Sequence, residues 1–321
     1  MNDQLDREFR DTLGNARVLR DLALAPMTTF RVGGRADWYV EVRGADEIRR
    51  VLAIARRAGL PVSMLGGGSN VLVADSGVRG VVMRLRGGEV SAPDPAHVRA
   101  DAGVTINGLV RWTIGRGLSG LEAWAGTPGT VGGAVRGNAH FRGRLIGETI
   151  DRVTLASPDG DVLDVPASEM EFGYDYSRVQ RTGEIVVDAL FHVGSGDPVA
   201  LRATARESLA YRKQTQPLES ASAGCIFQNP DPARDIVPAG VPWSAGALVD
   251  RAGLKGAHVG KAMVSTTHAN FIINQGGASA EEIRELIECC KRGVRERFGV
   301  QLREEIVYLG FDPASDGRMP E

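Results

Sequence analysis

The chain has 321 residues, a length that fits about two domains at roughly 150 residues each. With 43% hydrophobic and 24% charged residues it has an ordinary globular balance and can bury sizeable cores without staples. A net charge of −2 argues against a general nucleic-acid or anionic-membrane surface, but leaves room for a local basic pocket that takes a phosphorylated small molecule.

The opening MNDQLDREFR lacks the apolar core of a signal peptide, and no run is long enough to span a bilayer, so a soluble cytoplasmic protein is expected. Residues 1–20 read as a loose extension, as do the last ten. In residues 45–58, Ile48, Val51, Leu52 and Ala55 recur at helical spacing. Pro61 then opens a short strand, PVSML, that runs into GGGSN, and GVVMRL at 80–85 reads as another strand. Ile106, Leu109, Val110 and Thr113 predict a helix within 104–114. A glycine-rich segment fills 117–134. RVTLASPDGDVLDV at 152–165 predicts a hairpin turning at Asp159-Gly160.

Residues 199–214 are helical in pattern. The last long helix begins with a capping box, Ser279 and Glu282, carries an apolar stripe of Ile283, Leu286, Ile287, Cys290 and Val294, and stops at Gly299. VQLREEIVYLG then reads as a closing strand. Helices and strands alternate without one long parallel βαβ run, which predicts an α+β fold.

LGGGSN, at 65–70, follows a strand. Its glycines let the backbone turn tightly and approach a ligand, and their amides can cradle phosphate. A plain surface turn fits the spacing equally well. GRGLSG, at 115–120, matches GxGxxG but follows a helical pattern, whereas the dinucleotide fingerprint needs strand, turn and helix in that order. AGTPGTVGGA, at 125–134, suits no single secondary structure and reads either as backbone laid against a flat ligand or as a connecting loop. Three cysteines are no disulfide framework, and the five histidines show no metal-ligand spacing, so no metal site is expected.

Arg178, Lys213 and Glu305 are the charged residues with possible chemistry, although single charges are usually solvated surface. His268, in STTHANFIIN, reads as a half-buried, hydrogen-bonded residue, and Cys290 as core. Cys225 is different. Its neighbours in ESASAGCIFQNP are Ala223 and Gly224, which leave room for a ligand, whereas a packing cysteine is usually walled by bulky apolar groups.

Nine stretches, in order, resemble the UDP-N-acetylenolpyruvoylglucosamine reductases from about residue 28 to 310: TTFRVGGRAD, LGGGSNVLVADSGVRGVV, GLSGLEAWAGTPGTVGGAV, FGYDYS, YRKQTQP, SAGCIFQNP, AGLKG, HANFIIN and EEIVYLG. The resemblance implies an FAD-binding region of the vanillyl-alcohol-oxidase (PCMH) type over 21–198, in two subdomains split near 86, and an α+β substrate-binding domain over 199–321. It implies non-covalent FAD, NADPH as hydride donor, and a small-molecule UDP-sugar substrate whose enolpyruvyl group is reduced to give UDP-N-acetylmuramate for peptidoglycan. It implies no nucleic-acid or membrane partner, and a monomer. Gly66, Gly67, Gly68, Ser69 and Asn70 would hold the FAD pyrophosphate, and Gly126, Thr127, Pro128, Gly129, Gly132 and Gly133 would run beside the flavin ring.

Glu305, with Glu304 as the less favoured neighbour, matches a glutamate that stabilises charge developing on the substrate. Lys213 and Asn229 match positions that contact its diphosphate-sugar part. Cys225 stands where many members have serine and is expected to donate the final proton, since an unperturbed thiol, with a pKa of about 8.5, is protonated at neutral pH. Two further departures stand out. Asp175 occupies the place of an arginine, whose role Arg178 is expected to take, and His140 replaces a glycine. The short segment between YDYS and YRKQ matches the compact type II-like subgroup. Two other readings are a different FAD-dependent oxidase or dehydrogenase on the same FAD domain, and a nucleotide-binding protein that has lost activity.

Overall fold

Apolar periodicity becomes buried helix face wherever it was expected. In the helix Gly44–Arg57, Ile48, Val51, Leu52 and Ala55 are buried, joined by Ile54. In the computed structural model, which describes residues 2–311, the chain divides into two units. The first takes the chain up to Asp21, then Asp37–Gly67 and Gly80–Arg212; the second takes Leu22–Ala36, Gly68–Arg79 and the chain from Lys213. The expected loose tail over the last ten residues lies outside the described residues.

The first unit contains a four-stranded sheet in the order Val18–Ala23, Arg35–Val42, Val78–Leu85, Val62–Met64. Val62–Met64 runs parallel to Val78–Leu85, with Val62 opposite Val81. A five-stranded antiparallel sheet follows, ordered Val162–Pro166, Ile150–Ala156, Ile185–His192, His97–Asp101, Val90–Asp94. The hairpin expected at Asp159-Gly160 joins two of its strands, and Gly160 takes the left-handed φ of 93° that such a turn requires. One hydrophobic core runs through the unit and includes Val81 and Met83 from the smaller sheet and Val153 and Phe191 from the larger.

The N-terminus is not loose. Asn2–Leu13 is a helix whose Phe9 is fully buried and whose Leu13 is 3% exposed. Leu5, Phe9 and Leu13 fall at i, i+4, i+8 and form one narrow apolar stripe in a strongly charged stretch, which the core accepts.

In the second unit the helix Ala280–Phe298 starts and stops as its sequence predicts. Ser279 Oγ accepts from the Glu282 N–H at 3.0 Å, the Ser279 N–H donates to Glu282 Oε2 at 3.1 Å, and Gly299 closes the helix at φ 71°. The stripe Ile283, Leu286, Ile287, Cys290 and Val294 is buried as expected. Burial pushes the Cys290 thiol up to about 12, as befits a core cysteine. The helix shares its core with the three-stranded sheet of His258–Val259, Ala262–Val264 and Ile272–Asn274.

Side chains fasten the two early excursions into this unit. The Asp75 carboxylate accepts from the N–H groups of Ala280 and Glu281, at 2.9 and 3.2 Å, where the helix leaves its first donors unpaired. Asn274 Nδ2 donates to the Phe30 carbonyl at 2.9 Å. The closing strand is shorter than the pattern implied. Only Val307–Leu309 pairs regularly, parallel to Val71–Val73, and Glu304 makes an isolated bridge to Phe227. Among the described residues no helix is long and apolar enough to cross a membrane.

Candidate active site

The strand Val62–Met64 of the first unit delivers the chain to the 65–70 loop, whose residues from Gly68 onward belong to the second unit. The Leu65 N–H still bonds the Met83 carbonyl at 2.9 Å. Beyond it, the consecutive amides of Gly66, Gly67, Gly68 and Ser69 find no backbone acceptor among the described residues. A run of unspent donors is the chemistry of an anion cradle. A Cβ on Gly67 would lie 2.6 Å from Gly129 Cα, and one on Gly66 would lie 3.0 Å from Thr130 Oγ1. The two glycine-rich loops therefore meet backbone to backbone. These residues fit a diphosphate-bearing cofactor.

The second glycine-rich segment differs from expectation. It is partly regular: Thr130 caps the short helix Val131–Arg136, its Oγ1 accepting the Gly133 N–H at 3.4 Å. The Gly126 N–H donates to Asn107 Oδ1 at 2.7 Å, the Gly132 N–H to the Ala102 carbonyl at 2.9 Å, and the Gly129 carbonyl accepts from Ile106 at 3.1 Å. Much of this loop's polarity is spent on its own geometry, with Pro128 left exposed. Thr127 Oγ1 accepts at 2.8 Å from Nη2 of Arg212, a residue only 6% exposed, whose guanidinium lies 3.9 Å from the centre of the Phe141 ring. Sequence reasoning favoured Lys213 in this stretch. Lys213 is exposed, whereas Arg212 is the buried anchor. Nothing in the run YRKQ separates the two without knowing which side of the helix Pro198–Thr215 is covered.

In the second unit three distant stretches are laced together. The Ile226 N–H donates to the Asn270 carbonyl at 2.8 Å. The Asn270 side chain, 4% exposed, accepts from the Phe227 N–H at 2.9 Å and donates to the Phe227 carbonyl at 2.8 Å. The Ile226 carbonyl then accepts from the Glu305 N–H at 2.8 Å. Asn70 Nδ2 donates to the Glu305 carbonyl at 3.1 Å, and the Asn70 carbonyl accepts from Val307 at 3.0 Å. Thus Cys225, next in chain to Ile226, is brought beside the Glu305 backbone, to which Asn70 is also bonded. Cys225 and Glu305 are both half-buried.

In extended backbone the two adjacent glutamates send their side chains to opposite faces. Glu304 turns to the Lys291 ammonium at 3.0 Å and is 12% exposed, so it is a structural ion pair. Asn229 Oδ1 accepts from the Ala245 N–H at 3.0 Å, at the start of the helix Ala245–Arg251. His268 is the hydrogen-bonded residue expected: its Nδ1 accepts from the Asn270 N–H at 3.2 Å, and its ring meets Phe271 edge-on at 5.0 Å. Burial, helped by the Lys255 charge, pushes its pKa below the ordinary histidine value. Sequence reasoning singled out His268 in HANFIIN, whereas Asn270, two residues on, holds the Cys225 segment in place. A buried amide satisfied on both its oxygen and its nitrogen leaves no periodic signal.

Arg178 does not stand ready for a ligand. Its Nη2 and Nε grip the Glu184 carboxylate at 2.6 and 2.9 Å, with side chains 20% and 6% exposed. This fork-on-fork pairing uses the same geometry that a substrate carboxylate would need. It holds the Glu184 carboxyl below the usual range. A carboxyl so lowered contributes stability above its unfolded pKa of about 4.3, and loses that contribution as pH falls through its folded value. Arg178→Gln is therefore expected to cost about 1–3 kcal/mol at pH 7. Thermal melts should show the gap from the parent protein narrowing as the pH drops below 4. An unchanged melting temperature with slowed turnover would return Arg178 to the ligand.

A family profile described as "UDP-N-acetylenolpyruvoylglucosamine reductase, C-terminal domain" matches residues 216–309, and one described as "FAD binding domain" matches 36–166. The chain is 39% identical over 296 residues to the UDP-N-acetylenolpyruvoylglucosamine reductase of Synechococcus sp. (strain WH7803), covering 90% of this chain and 92% of the relative. It is 38% identical over 313 residues to the enzyme of that name from Geobacter metallireducens, covering 97% and 99%. Among solved structures, the UDP-N-acetylenolpyruvylglucosamine reductase of Thermus caldophilus superposes with a TM-score of 0.75 at 35% identity, over 91% of this chain and 99% of that one.

Proposed function

The chain belongs to the UDP-N-acetylenolpyruvoylglucosamine reductase family, and from that premise we propose how its own residues serve the reaction. The activity is the NADPH-dependent reduction of UDP-N-acetylglucosamine enolpyruvate to UDP-N-acetylmuramate, with FAD as cofactor, in peptidoglycan precursor synthesis. Bound FAD supplies the two-electron relay between NADPH and the substrate. Gly66, Gly67, Gly68, Ser69 and Asn70 take its diphosphate, because four consecutive amides there have no backbone acceptor among the described residues. Gly126, Thr127, Pro128, Gly129, Gly132 and Gly133 form the wall beside the flavin ring, stiffened by Arg212.

Reduction of an enol ether needs negative charge to spread from the carbon next to the carboxylate onto that carboxylate. Glu305 stands at this end and, carrying a proton on its carboxyl, donates a hydrogen bond to the charge as it develops. Cys225 gives its proton to the carbon, which completes the product. Lys213 and Asn229 bind the diphosphate-sugar part. In this reading residues 1–20 precede an FAD-binding region over 21–198, with subdomains meeting near 86, and 199–321 bind the substrate. The enzyme works as a cytoplasmic monomer.

One observation carries the assignment of the proton donor. The Ile226 carbonyl bonds the Glu305 amide, so thiol and carboxylate are built on adjoining backbone in one unit. The test is a purified yellow protein whose flavin is released by acid, and whose NADPH oxidation accelerates only with the enolpyruvyl nucleotide. Equal oxidation without that nucleotide would favour an oxidase.

A further inference from the structure

His97 and His192, far apart in the chain, sit directly opposite one another in the five-stranded sheet of the first unit. Opposite residues in an antiparallel ladder alternate between hydrogen-bonded and non-hydrogen-bonded pairs, and the second kind holds its side chains closer. The Val193 N–H donates to the Ala96 carbonyl at 2.8 Å, so the next pair along, His97 and His192, is of the close kind. Their ring centres lie 5.6 Å apart, with the ring planes at 67°. Val98 and Phe191, their neighbours in chain, are fully buried in the core, so both imidazoles stand on the sheet's other face. The His97 side chain is 27% exposed, and His192 is exposed.

One of the two rings is held in a set orientation. The turn at Pro95-Ala96 joins the strands Val90–Asp94 and His97–Asp101 and places Asp94 opposite His97. The Ala96 N–H donates to Asp94 Oδ1 at 2.8 Å, which aims the carboxylate. Both carboxylate oxygens lie 2.9 Å from His97 Nδ1. An ionised carboxylate only accepts, so in the neutral imidazole Nδ1 carries the proton and Nε2 keeps its lone pair. A carboxylate behind an imidazole in this way is the arrangement that orients metal-bound histidines. Among the described residues, neither His97 Nε2 nor either ring nitrogen of His192 has a hydrogen-bond partner. Arg99, two residues along the same face, is paired with Asp188, which offsets its charge.

We propose that His97 and His192 chelate a divalent cation that favours imidazole nitrogen, such as Zn²⁺ or Ni²⁺, with Asp94 as the outer partner of His97. At a metal–nitrogen bond of about 2.0–2.1 Å, two imidazoles bound tetrahedrally through their outer nitrogens hold their ring centres about 5 Å apart. The observed 5.6 Å is close to that separation. Water fills the remaining coordination positions. A cation held by both strands binds the paired sheet and not the unfolded chain, so it stabilises the fold. Histidine spacing in the sequence carries no sign of the site, because only strand pairing brings the two rings together. The site uses none of the residues assigned to flavin or substrate.

Titration calorimetry of the full-length, FAD-loaded protein with ZnCl₂, and separately with NiCl₂, tests this. The parent should take up one ion per chain that the double variant His97→Gln/His192→Gln does not. Each single variant should bind that ion about tenfold or more weakly, and Asp94→Asn, which removes the charge behind His97, should weaken it by about tenfold. The ion should raise the parent's melting temperature by more than that of the double variant. No uptake, or equal uptake by parent and double variant, overturns the proposal. Uptake of half an ion per chain also overturns it, since the ion would then lie between two copies. If circular dichroism shows the double variant unfolded, the single variants decide by the same measurement. The readout does not involve the reductase reaction, so its outcome stands apart from that assignment.

Discussion

Cys225→Ala is expected to take hydride from NADPH at the normal rate and to reoxidise with the enolpyruvyl substrate about a hundredfold or more slowly, the usual scale for losing a positioned general acid. The two half-reactions separate because only the second requires a proton at carbon. Cys225→Ser should keep substantial activity, since a hydroxyl carries a transferable proton at the same place. Glu305→Gln should also slow reoxidation, through weaker stabilisation of the developing charge. The fold should tolerate the cysteine changes. The segment is held by Asn270 on both sides of Phe227 and by the Ile226–Glu305 backbone bond, none of which uses the thiol. Stopped-flow traces of each half-reaction give the answer. A normal reoxidation rate in Cys225→Ala would mean that the thiol only packs.

Gly67→Val is expected to yield a folded protein that has lost most of its flavin. Even the first added carbon would lie 2.6 Å from Gly129 Cα, a distance that backbone cannot tolerate without moving. The sequence points to phosphate as the group a side chain would displace. The structure gives a further and more immediate reason, the contact between two glycine loops. Forcing them apart misplaces the amides of Gly66, Gly67, Gly68 and Ser69 together with the Gly129 turn. Overpacking of this kind costs about 1–3 kcal/mol, which is roughly a 5- to 150-fold loss of affinity if it falls on the bound state. Flavin absorbance per protein, with circular dichroism to verify the fold, measures this. Full flavin content would show that the loop is merely a turn.

Much of the architecture was legible from local rules. The helices Gly44–Arg57 and Ala280–Phe298, the hairpin at Asp159-Gly160 and the rejection of GxGxxG at 115–120 all follow from spacing over a few residues. In each case the residues that decide the element are neighbours along the chain, so their pattern survives in one dimension. The helix Asn2–Leu13 escaped because its three apolar residues are outnumbered by charges, and only a waiting core gives such a thin stripe a reason to order. The short excursions Leu22–Ala36 and Gly68–Arg79 escaped because their fastening bonds, Phe30 to Asn274 and Asp75 to the Ala280 amide, span more than 200 positions.

The chemistry divides along the same line. The sequence by itself determined the fold class, the glycine loops and the family, because these rest on residue types in fixed local order. Which partner each charge takes was decided by tertiary structure alone. Glu304 goes to Lys291, Arg178 to Glu184 and His140 to Asp175. A guanidinium or an imidazole will pair with any carboxylate that packing brings within about 3 Å, and that distance is set by backbone paths converging from remote parts of the chain, which residue order alone does not encode in any readable period.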